Sequence, residues 1–538
     1  MSADQSESLV LNNGDAATKS KEHPESSKIG NLGDYLLFGR YSIMMCLLHE
    51  LDVLPMTSMY TFMAFAGLFP SITQCGSLNF DGMSSSDACI AVEAARNICK
   101  PEYAEGTFRS MPMEFGYYCS TKSHVKLAIS FQMIGMLLGA TSFGQLSDMF
   151  GRRRCLLIGA VGCCIFSFVT SFTHDLYHFA AAQFCTLFFA GGTGAVYVTF
   201  FMECMPKKHR YWSVIAIGFS PNMIIFAFIA YLCGDWRWTA RAISLLCVPH
   251  FILQYIGYES PRWLVQHGKL EQATETYEKI DKFNGTASDE RGALLAELID
   301  EERKKIEERA KVKKYYVWHT FYTKSMVLQN LTMGYCLLST TVLYYTLIFN
   351  TEQVVGSVYV NIAVLGCIRY FINIVFCIAD YKIQSLGRRI GYIGCLIFIT
   401  IGLFAVVSID FFHLDYPTLK RWTVILSSAA TAHLFPTAFL ITGELFPTPI
   451  RNSAGSFQQL FTRIGVVIAP QFFLLFGFYP GASYMALTVL IAFALIFFGA
   501  FIPETKGTPL MDHMPHKSER IFRNSFRGSK KTSRPVLP

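Results

Sequence analysis

The segment that decides the fold is GQLSDMFGRRR, residues 144–154. It joins two apolar stretches, 126–146 and 155–172, each long enough to cross a hydrocarbon layer of about 30 Å. Its end returns in the second half of the chain, where Gly387-Arg388-Arg389 repeats Gly151-Arg152-Arg153 at an offset of 387 − 151 = 236. A polar connection between two apolar stretches that occurs twice indicates a duplicated membrane protein.

Two further charged signatures recur in the same order, each where an apolar stretch meets a polar one. They are Glu203 with Arg210, which returns as Glu444 with Arg451, and Tyr258-Glu259-Ser260, which returns as Pro503-Glu504-Thr505. Their offsets, 444 − 203 = 241 and 504 − 259 = 245, are close to that of the first signature. Three signatures at nearly constant offset predict two related halves, as found in transporters built from parallel repeats.

Composition supports a membrane protein. Of 538 residues, 52% are hydrophobic and only 16% are charged, and the mean hydropathy is +0.34. A soluble chain of this length would need more charge to cover its surface. The predicted spans, numbered 1 to 12 in chain order, lie at 42–68, 126–146, 155–172, 177–201, 212–233, 241–257, 325–347, 357–380, 390–408, 422–443, 454–477 and 484–502. The fold class expected is therefore an all-α membrane protein of twelve transmembrane helices in two pseudo-symmetric six-helix bundles.

Lysine and arginine gather in one alternate set of connections, which predicts that this side and both termini are cytosolic. The predicted organisation is a cytosolic tail at 1–38, an N-terminal half at 39–257, a cytosolic linker at 258–324, a C-terminal half at 325–503 and a basic cytosolic tail at 504–538. The linker alternates helix formers with charge. This pattern favours solvated helices, and a partner-binding module is the alternative.

Four cysteines lie in the polar loop 71–123 between the first two spans. They are Cys75, Cys89, Cys99 and Cys119. An even number of cysteines in one loop predicts two disulfides on an oxidising, extracytosolic face. The pairing cannot be read from the sequence.

Residues 144–154 resemble the loop signature of the major facilitator superfamily. Within it, the chain resembles the organic ion transporters of solute carrier family 22. The features that carry this likeness are the cysteine-bearing first loop, the long linker, ESPRWL at 259–264, and GELFPT at 443–448 leading to Arg451. The resemblance covers about residues 35–510. It implies a plasma-membrane transporter that carries small organic ions by alternating access.

The repeated charges at the ends of the spans are candidate gating latches. Ion pairs there can be intact in one conformation and broken in another, and the alternative is that they anchor helix ends in the headgroups. The candidates are Asp148, Arg152, Arg153, Glu203, Arg210, Glu259, Arg262, Arg388, Glu444, Arg451 and Glu504. The second half has Gln384 where the first has Asp148, which predicts a weaker latch there.

Charged residues deep inside predicted spans are candidates for substrate binding, because burying a charge in a membrane is costly. Arg463 lies twelve residues after Arg451, about 18 Å along a helix and near the midplane. In the resembled family, Arg at this position is typical of anion carriers and an acidic residue of cation carriers. Arg369 in span 8 is a second basic candidate.

Acidic residues in span 1 favour a cation or a proton as the ligand instead of an anion. Glu50, with Asp52 and His49 beside it, is a candidate for proton coupling or for contact with a cation. The alternative is a structural partner of Arg463 or Arg369. Together these charges would also suit a zwitterion.

Aromatic residues are expected to line the rest of the cavity. Tyr344 and Tyr345 resemble an aromatic pair that family members use to hold substrate, and Phe439 matches another such position. Aromatic rings can hold a ring or a cation by stacking. In contrast, the run Gly191-Gly192-Thr193-Gly194 lies inside a span, and it indicates close helix packing rather than a nucleotide loop.

Transport of organic anions is the function that the sequence favours. The alternatives are a carrier of cations or of carnitine-like zwitterions, a sugar porter, and a non-transporting membrane receptor. We expect no enzyme, no cofactor, no metal site and no nucleic-acid partner. The expected partners are a small organic ion and the lipid bilayer, with the coupling ion or exchange substrate left open.

Overall fold

Helices dominate the part of the chain that the computed structural model describes. The described residues are 32, 35–69, 72–75, 78–79, 85–94, 101–103, 108–206, 209–309, 317–349, 356–383, 387–447, 449–472, 481–506 and 514. Cys99, Gln384 and most of the two predicted tails lie outside them. The expectations for those residues therefore stay predictions.

Twelve helices correspond in order to the twelve predicted spans. They are Arg40–Thr61, Lys122–Phe150, Arg152–Thr170, Leu176–Cys204, Phe219–Cys233, Trp236–Ile256, Lys324–Phe349, Val358–Lys382, Arg388–Phe411, Pro417–Leu445, Arg451–Ile468 and Ala482–Phe501, and we keep the names span 1 to span 12 for them. Most packing lies within spans 1 to 6 and within spans 7 to 12, and spans 5 and 8 pack extensively on each other across the two halves. The prediction of an all-α protein with two six-helix bundles is confirmed.

Within the described residues, nine of these helices are long and apolar enough to cross a membrane on length and composition alone. Spans 1, 5 and 11 are the other three. Span 5 is largely apolar but has only 15 residues, whereas spans 1 and 11 carry charged residues that lower their hydropathy. These charges include Glu50 and Arg463, which the sequence marks as candidates for substrate binding.

Spans 5 and 11 differ from their predicted ranges where the α-helix is interrupted or ends early. Hydropathy predicts that span 5 starts at 212, but a separate helix, Arg210–Ala216, ends before Gly218 and span 5 starts at Phe219. Hydropathy also predicts that span 11 reaches 477, but its α-helix ends at Ile468 and a tighter turn continues to 472. Hydropathy detects neither the break before span 5 nor the change from an α-helix to a tighter turn after Ile468 in span 11.

Small residues bring spans 2 and 4 into close contact. A side-chain carbon at Gly139 would collide with the backbone of Phe188, and one at Gly191 would collide with the backbone of Met136. Such positions allow helix backbones to approach closely in a membrane. The glycine run in span 4 therefore serves helix packing, as the sequence indicates.

The cysteine-bearing loop forms a small folded unit on the face opposite the Arg-rich connections. Its strands are β1 (Ile72–Cys75), β2 (Leu78–Asn79) and β3 (Pro101–Tyr103), which pair antiparallel in the order β2-β1-β3. A disulfide joins Cys89, in the helix Ser85–Ala94, to Cys119 just before span 2. Cys75 is also disulfide-bonded.

The described part of the linker contains the α-helices Pro261–Gln266, Leu270–Asn284 and Asp289–Arg309 and a short 3-10 helix, Val317–Phe321. The helix Leu270–Asn284 is not purely solvated, because Tyr277 and Ile280 are buried in the same apolar cluster as Tyr35 at the chain's N-terminal side. The Tyr35 hydroxyl donates to the Asp281 carboxylate at 2.5 Å. The linker is thus attached to the N-terminal half.

Candidate functional site

A cavity of about 350 Å³ lies between the two halves. Its deep end is lined by Tyr60 and Tyr345, and its lining extends to Gly387 and Arg388 at the start of span 9. We call the end of the bundle that carries Arg152 and Arg388 the basic rim. The cavity therefore reaches from the membrane interior towards the basic rim.

Arg463 lines this cavity from span 11 and is half-buried. No ion pair joins it to an acidic side chain in the described part of the chain. Its charge acts on the hydroxyls of Tyr60 and Tyr345, which line the same space. The side chain is therefore positioned to meet a ligand.

Arg369 lines the cavity from span 8 and is almost fully buried. One terminal nitrogen of its guanidinium donates to the Ser428 carbonyl at 3.1 Å and to the Thr431 hydroxyl at 2.8 Å. The guanidinium also lies over the Tyr344 ring, 4.3 Å from its centroid. Neutral groups thus hold Arg369 in place and leave its positive charge uncompensated.

Acidic side chains are absent from the described lining of the cavity. Buried polar atoms of lining residues that lack a hydrogen-bond partner among the described residues include Arg369 Nε, Asn373 Oδ1 and Thr462 Oγ1. Buried polar groups in proteins are nearly always satisfied. The cavity therefore combines two arginines that lack acidic partners with buried polar groups whose hydrogen bonds are unmade.

Aromatic rings form much of the remaining wall, and the sequence identified only some of them. Tyr344 and Tyr345 line the cavity as predicted residues, with ring centroids 5.0 Å apart in an edge-to-face arrangement. Phe439 does not line it, since its side chain is 64% exposed on the outside of the bundle. Phe435, one helical turn earlier, does line it. The family resemblance thus identified the correct helix but a residue one turn away from the one that lines the cavity.

Glu50 and Asp52 do not line the cavity and are not paired with Arg463. Glu50 accepts a long hydrogen bond of 3.4 Å from the Asn222 side-chain amide in span 5. Asp52 lies 3.2 Å from His250 in span 6. The predicted alternative, in which an acid of span 1 compensates Arg463, is not seen in this conformation.

In the N-terminal half, Glu259 binds the start of span 3. Its carboxylate accepts hydrogen bonds from the backbone N–H groups of Arg152 and Arg153, both at 3.0 Å. A side chain at Gly151, whose φ is +104°, would collide with that carboxylate. Burial raises the pKa of Glu259, although the backbone donors oppose this shift. The glycine of the loop signature is therefore required by the approach of Glu259.

The Arg152 side chain links span 3 to spans 2 and 4. Its guanidinium lies 2.5 Å from Asp148, which is 66% exposed, and 3.4 Å from Glu203, which is only 13% exposed. It also donates to the Ser147 hydroxyl at 2.8 Å. Asp148, Arg152 and Glu203 thus form one network at the basic rim.

The C-terminal half repeats this arrangement. Glu504 accepts hydrogen bonds from the backbone N–H groups of Arg388 at 3.0 Å and Arg389 at 3.2 Å, and Arg388 pairs with Glu444. A side chain at Gly387 would collide with Glu504. The repeated sequence signatures therefore form the same set of contacts in both halves.

The remaining candidate latch residues bind helix ends. Arg210 and Arg451 each donate from Nε to the carbonyl five residues earlier, that of Met205 at 2.8 Å and that of Phe446 at 3.4 Å. Arg153 donates to the carbonyls of Gln254 and Tyr255, whereas Arg389 donates to that of Gly499 at 2.6 Å. Arg262 is the second residue of the helix Pro261–Gln266. Each of these hydrogen bonds joins elements of a single half.

The family model for sugar (and other) transporters matches residues 55–515. The chain belongs to this transporter family. Its curated relatives include solute carrier family 22 member 6 of Pseudopleuronectes americanus, 27% identical over 435 residues that cover 79% of this chain and 75% of that protein. Solute carrier family 22 member 7 of Rattus norvegicus is 27% identical over 420 residues, which cover 76% and 75% of the two chains. The resemblance to solute carrier family 22 is confirmed.

Solved structures support the same fold. The xylose transporter XylE from E. coli in an inward-open conformation matches with a TM-score of 0.62 and 17% identity, covering 87% of this chain and 98% of that one. XylE, a proton:xylose symporter of the major facilitator superfamily, bound to 6-bromo-6-deoxy-D-glucose matches with a TM-score of 0.59 and 18% identity, over the same shares. The chain is therefore a multi-pass membrane transporter with the major facilitator fold, in a family of transporters rather than enzymes.

Proposed function

We propose that this protein carries small organic anions across the plasma membrane by alternating access. The observation that carries the proposal is the charge of the cavity. Arg463 and Arg369 line it without acidic partners, and no acidic residue lines it among the described residues. A positive charge in a low-dielectric wall favours an anionic partner, and a guanidinium can bind a carboxylate or sulfate through two parallel hydrogen bonds.

The size and the walls of the cavity favour an organic anion over an inorganic one. A volume of about 350 Å³ lies at the lower end of the range of roughly 300–1,000 Å³ for small-molecule sites. Tyr60, Tyr344, Tyr345 and Phe435 provide apolar faces against which an aromatic or aliphatic body can pack. An anion with a ring and one acidic group would use both features of the site.

The arrangement of the two halves is suited to alternating access. On the face opposite the basic rim, Ser130 of span 2 donates to the Val467 carbonyl of span 11 at 2.9 Å. Nearby, the rings of Phe65 and Tyr359 pack across the interface with centroids 5.6 Å apart. The halves are therefore joined at one end while the cavity extends to the other, as one of two alternating states requires.

Uptake by cells that express the protein tests the proposal. The panel comprises an aromatic monocarboxylate, methylumbelliferyl sulfate, tetraethylammonium as a cation, carnitine as a zwitterion, and xylose as a neutral sugar. We expect uptake of the two anions only. Uptake confined to tetraethylammonium, to carnitine or to xylose would replace the proposal with the cation, zwitterion or sugar alternative.

Matched arginine variants connect the result to the cavity. Arg463→Gln is expected to remove most anion uptake at normal surface level. Arg154→Gln removes an arginine from the exposed start of span 3, outside the cavity, and is expected to leave uptake near that of the wild type. Equal losses in both variants would show that overall positive charge, rather than the cavity, attracts the anion.

A further inference from the structure

A buried acid–base pair lies in the core of the N-terminal half, outside the cavity. Asp52 of span 1 and His250 of span 6 approach to 3.2 Å between the carboxylate Oδ1 and the imidazole Nδ1. Their side chains are only 1% and 3% exposed. The other carboxylate oxygen, Asp52 Oδ2, and the other ring nitrogen, His250 Nε2, have no hydrogen-bond partner among the described residues.

Among the described residues, no other charged side chain pairs with Asp52 or His250. Asp52 interacts electrostatically with Cys163 of span 3, Cys247 of span 6 and Tyr60 of its own span. The nearest other titratable side chains on span 1 have partners elsewhere: His49 is hydrogen-bonded to Tyr197 of span 4, and Glu50 to Asn222 of span 5. No lysine or arginine pairs with Asp52 in the described part of the chain.

This isolation means that the pair holds at least one proton. An ionised carboxylate beside a neutral imidazole would be a net negative charge in the membrane interior, which is strongly unfavourable without compensation. One bound proton makes the pair neutral, whether the proton is on the carboxyl group or on the imidazole. Loss of that proton requires access to water or a rearrangement of spans 1 and 6.

Tyr60 connects the pair with the cavity. It stands eight residues after Asp52 on span 1, about 12 Å along the helix, and it lines the cavity. Arg463 and, when it is ionised, Asp52 both interact electrostatically with its hydroxyl. A change in the charge of the pair therefore alters the electrostatic environment of the cavity, where an anion is expected to bind.

We propose that Asp52 and His250 form a proton-binding site that couples proton movement to transport of the substrate. The proton binds from water on one side and leaves to the other side as the halves alternate, so no covalent step is involved. The electroneutral form of this coupling, one proton with one monovalent anion, rests on the proposed function. The proton site itself does not depend on the charge of the substrate.

Purified protein in liposomes tests the coupling with methylumbelliferyl sulfate, which stays ionised and carries no proton of its own. With the membrane potential clamped, an inward gradient of one pH unit is expected to raise accumulation of the anion up to about tenfold at one proton per anion. Asp52→Asn and His250→Gln are expected to lose this response. Both should keep exchange of external for internal anion, which needs no net proton movement.

Glu50→Gln is the matched control, because Glu50 lies two residues from Asp52 but is bonded to Asn222 instead of His250. It should keep the response to the pH gradient. Accumulation by the wild type that ignores the gradient overturns the proton proposal and leaves anion transport intact. If Asp52→Asn and His250→Gln both lose exchange as well as driven uptake, the pair has a structural role. That outcome would also overturn the proton proposal.

Infrared spectroscopy of the purified protein provides a readout without substrate. A carboxyl band that changes between mildly acidic and mildly alkaline buffer, and that is missing in Asp52→Asn, is expected. This result would support the proton site even if no anion were transported, an outcome that would end only the proposed function. A band assigned to Asp52 that does not respond to pH would contradict the site directly.

Discussion

The Lys126 ammonium donates a hydrogen bond of 2.8 Å to the backbone carbonyl of Phe349. Lys126 belongs to span 2, and Phe349 is the last residue of span 7 in the other half. Lys126 is fully buried although it is a lysine. A positive charge at the C-terminal end of a helix is stabilised by the helix dipole, so the contact holds the two halves together on the face opposite the basic rim.

Replacement of Lys126 by Met should therefore shift the protein towards the conformation that is open on that face. Hydrogen bonds to charged groups contribute about 1.5–3 kcal/mol, so the open population should rise by about tenfold or more. An impermeant maleimide applied from outside to a Ser130→Cys reporter measures this shift as faster labelling. Lys122→Met is the control, because Lys122 lies one turn earlier, also near the Phe69 ring, but is less buried. Equal labelling rates in the two variants would contradict the role of Lys126.

The two acidic partners of Arg152 should differ in importance. Asp148 is mostly exposed, and exposed ion pairs contribute only about 0–1 kcal/mol. Glu203 is largely buried, and removing one partner of a buried pair typically costs about 3–5 kcal/mol. Maximal transport rates at matched surface level should fall further in Glu203→Gln than in Asp148→Asn, with substrate affinity changed less than the rate. Unchanged maximal rates in both variants would exclude a gating role for this network.

A pH-dependent contact ties the loop helix Met111–Phe115 to span 6. Glu114 accepts from Arg237 at 2.7 Å and from the Trp236 indole at 2.9 Å. Burial alone would raise the pKa of Glu114, but these donors outweigh it and hold the pKa below its ordinary value. A lowered pKa gives stability that is present above the ordinary value and is lost as pH falls through the lowered one.

The melting temperatures of the wild type and Glu114→Gln in detergent should accordingly differ at neutral pH. The difference should shrink as the buffer is acidified below the ordinary carboxyl range, because the wild-type carboxyl is then protonated and no longer pairs with Arg237. A constant difference at every pH would show that the glutamine disturbs packing and that the charge contributes nothing.

The Cys89–Cys119 disulfide should be important for the stability of the cysteine-bearing loop. Loss of a native disulfide from a small extracellular unit typically costs about 2–5 kcal/mol. Cys89→Ser and Cys119→Ser should therefore reduce surface expression, and the double variant should be no worse than either single one. Cys367→Ser, which removes an exposed free thiol from span 8, is the control. Additive losses in the double variant would mean that the two cysteines act independently.

The sequence predicted the fold better than it predicted the cavity, for a physical reason. The membrane imposes the hydropathy pattern, and the helix ends carry the repeated signatures. Both patterns can therefore be recognised in one amino-acid sequence. The rim contacts of Glu259 and Glu504 could be anticipated because each motif repeats with its glycine. Each motif is local in sequence, although Glu259 and Glu504 contact residues 107 and 116 positions away.

The cavity depends on which turn of each helix faces inward, and local sequence does not specify that. The sequence pointed to Phe439 and missed Phe435, although they are one turn apart on span 10. It did not identify His250 as a partner of Asp52, because the pair joins spans 1 and 6 across almost two hundred residues of chain. The sequence did identify Arg463 and Arg369, because a charged residue in an apolar span can be recognised without knowing how the helices pack.

Arg463 leads to the sharpest prediction on selectivity. Lysine keeps the positive charge but loses the planar pair of donors, so Arg463→Lys should lower anion uptake only in part. Arg463→Asp places a carboxylate in a cavity whose described lining contains none, and it should abolish anion uptake. It should also allow competition by tetraethylammonium. Uptake of methylumbelliferyl sulfate in competition with that cation measures both effects, and unaltered anion uptake by Arg463→Asp at normal surface level would end the anion proposal.

A charge swap separates substrate binding from a structural pairing of Arg463. If Arg463 served only to neutralise Glu50 in another conformation, then Arg463→Glu combined with Glu50→Arg would restore uptake. The conformation with the cavity open towards the basic rim offers no such contact, because Glu50 accepts from Asn222 and does not line the cavity with Arg463. The reversed pair would also remove the positive charge that the anion needs. The double variant is therefore expected to stay inactive towards anions at normal surface level, and recovery of anion uptake would assign Arg463 to Glu50 instead of to the substrate.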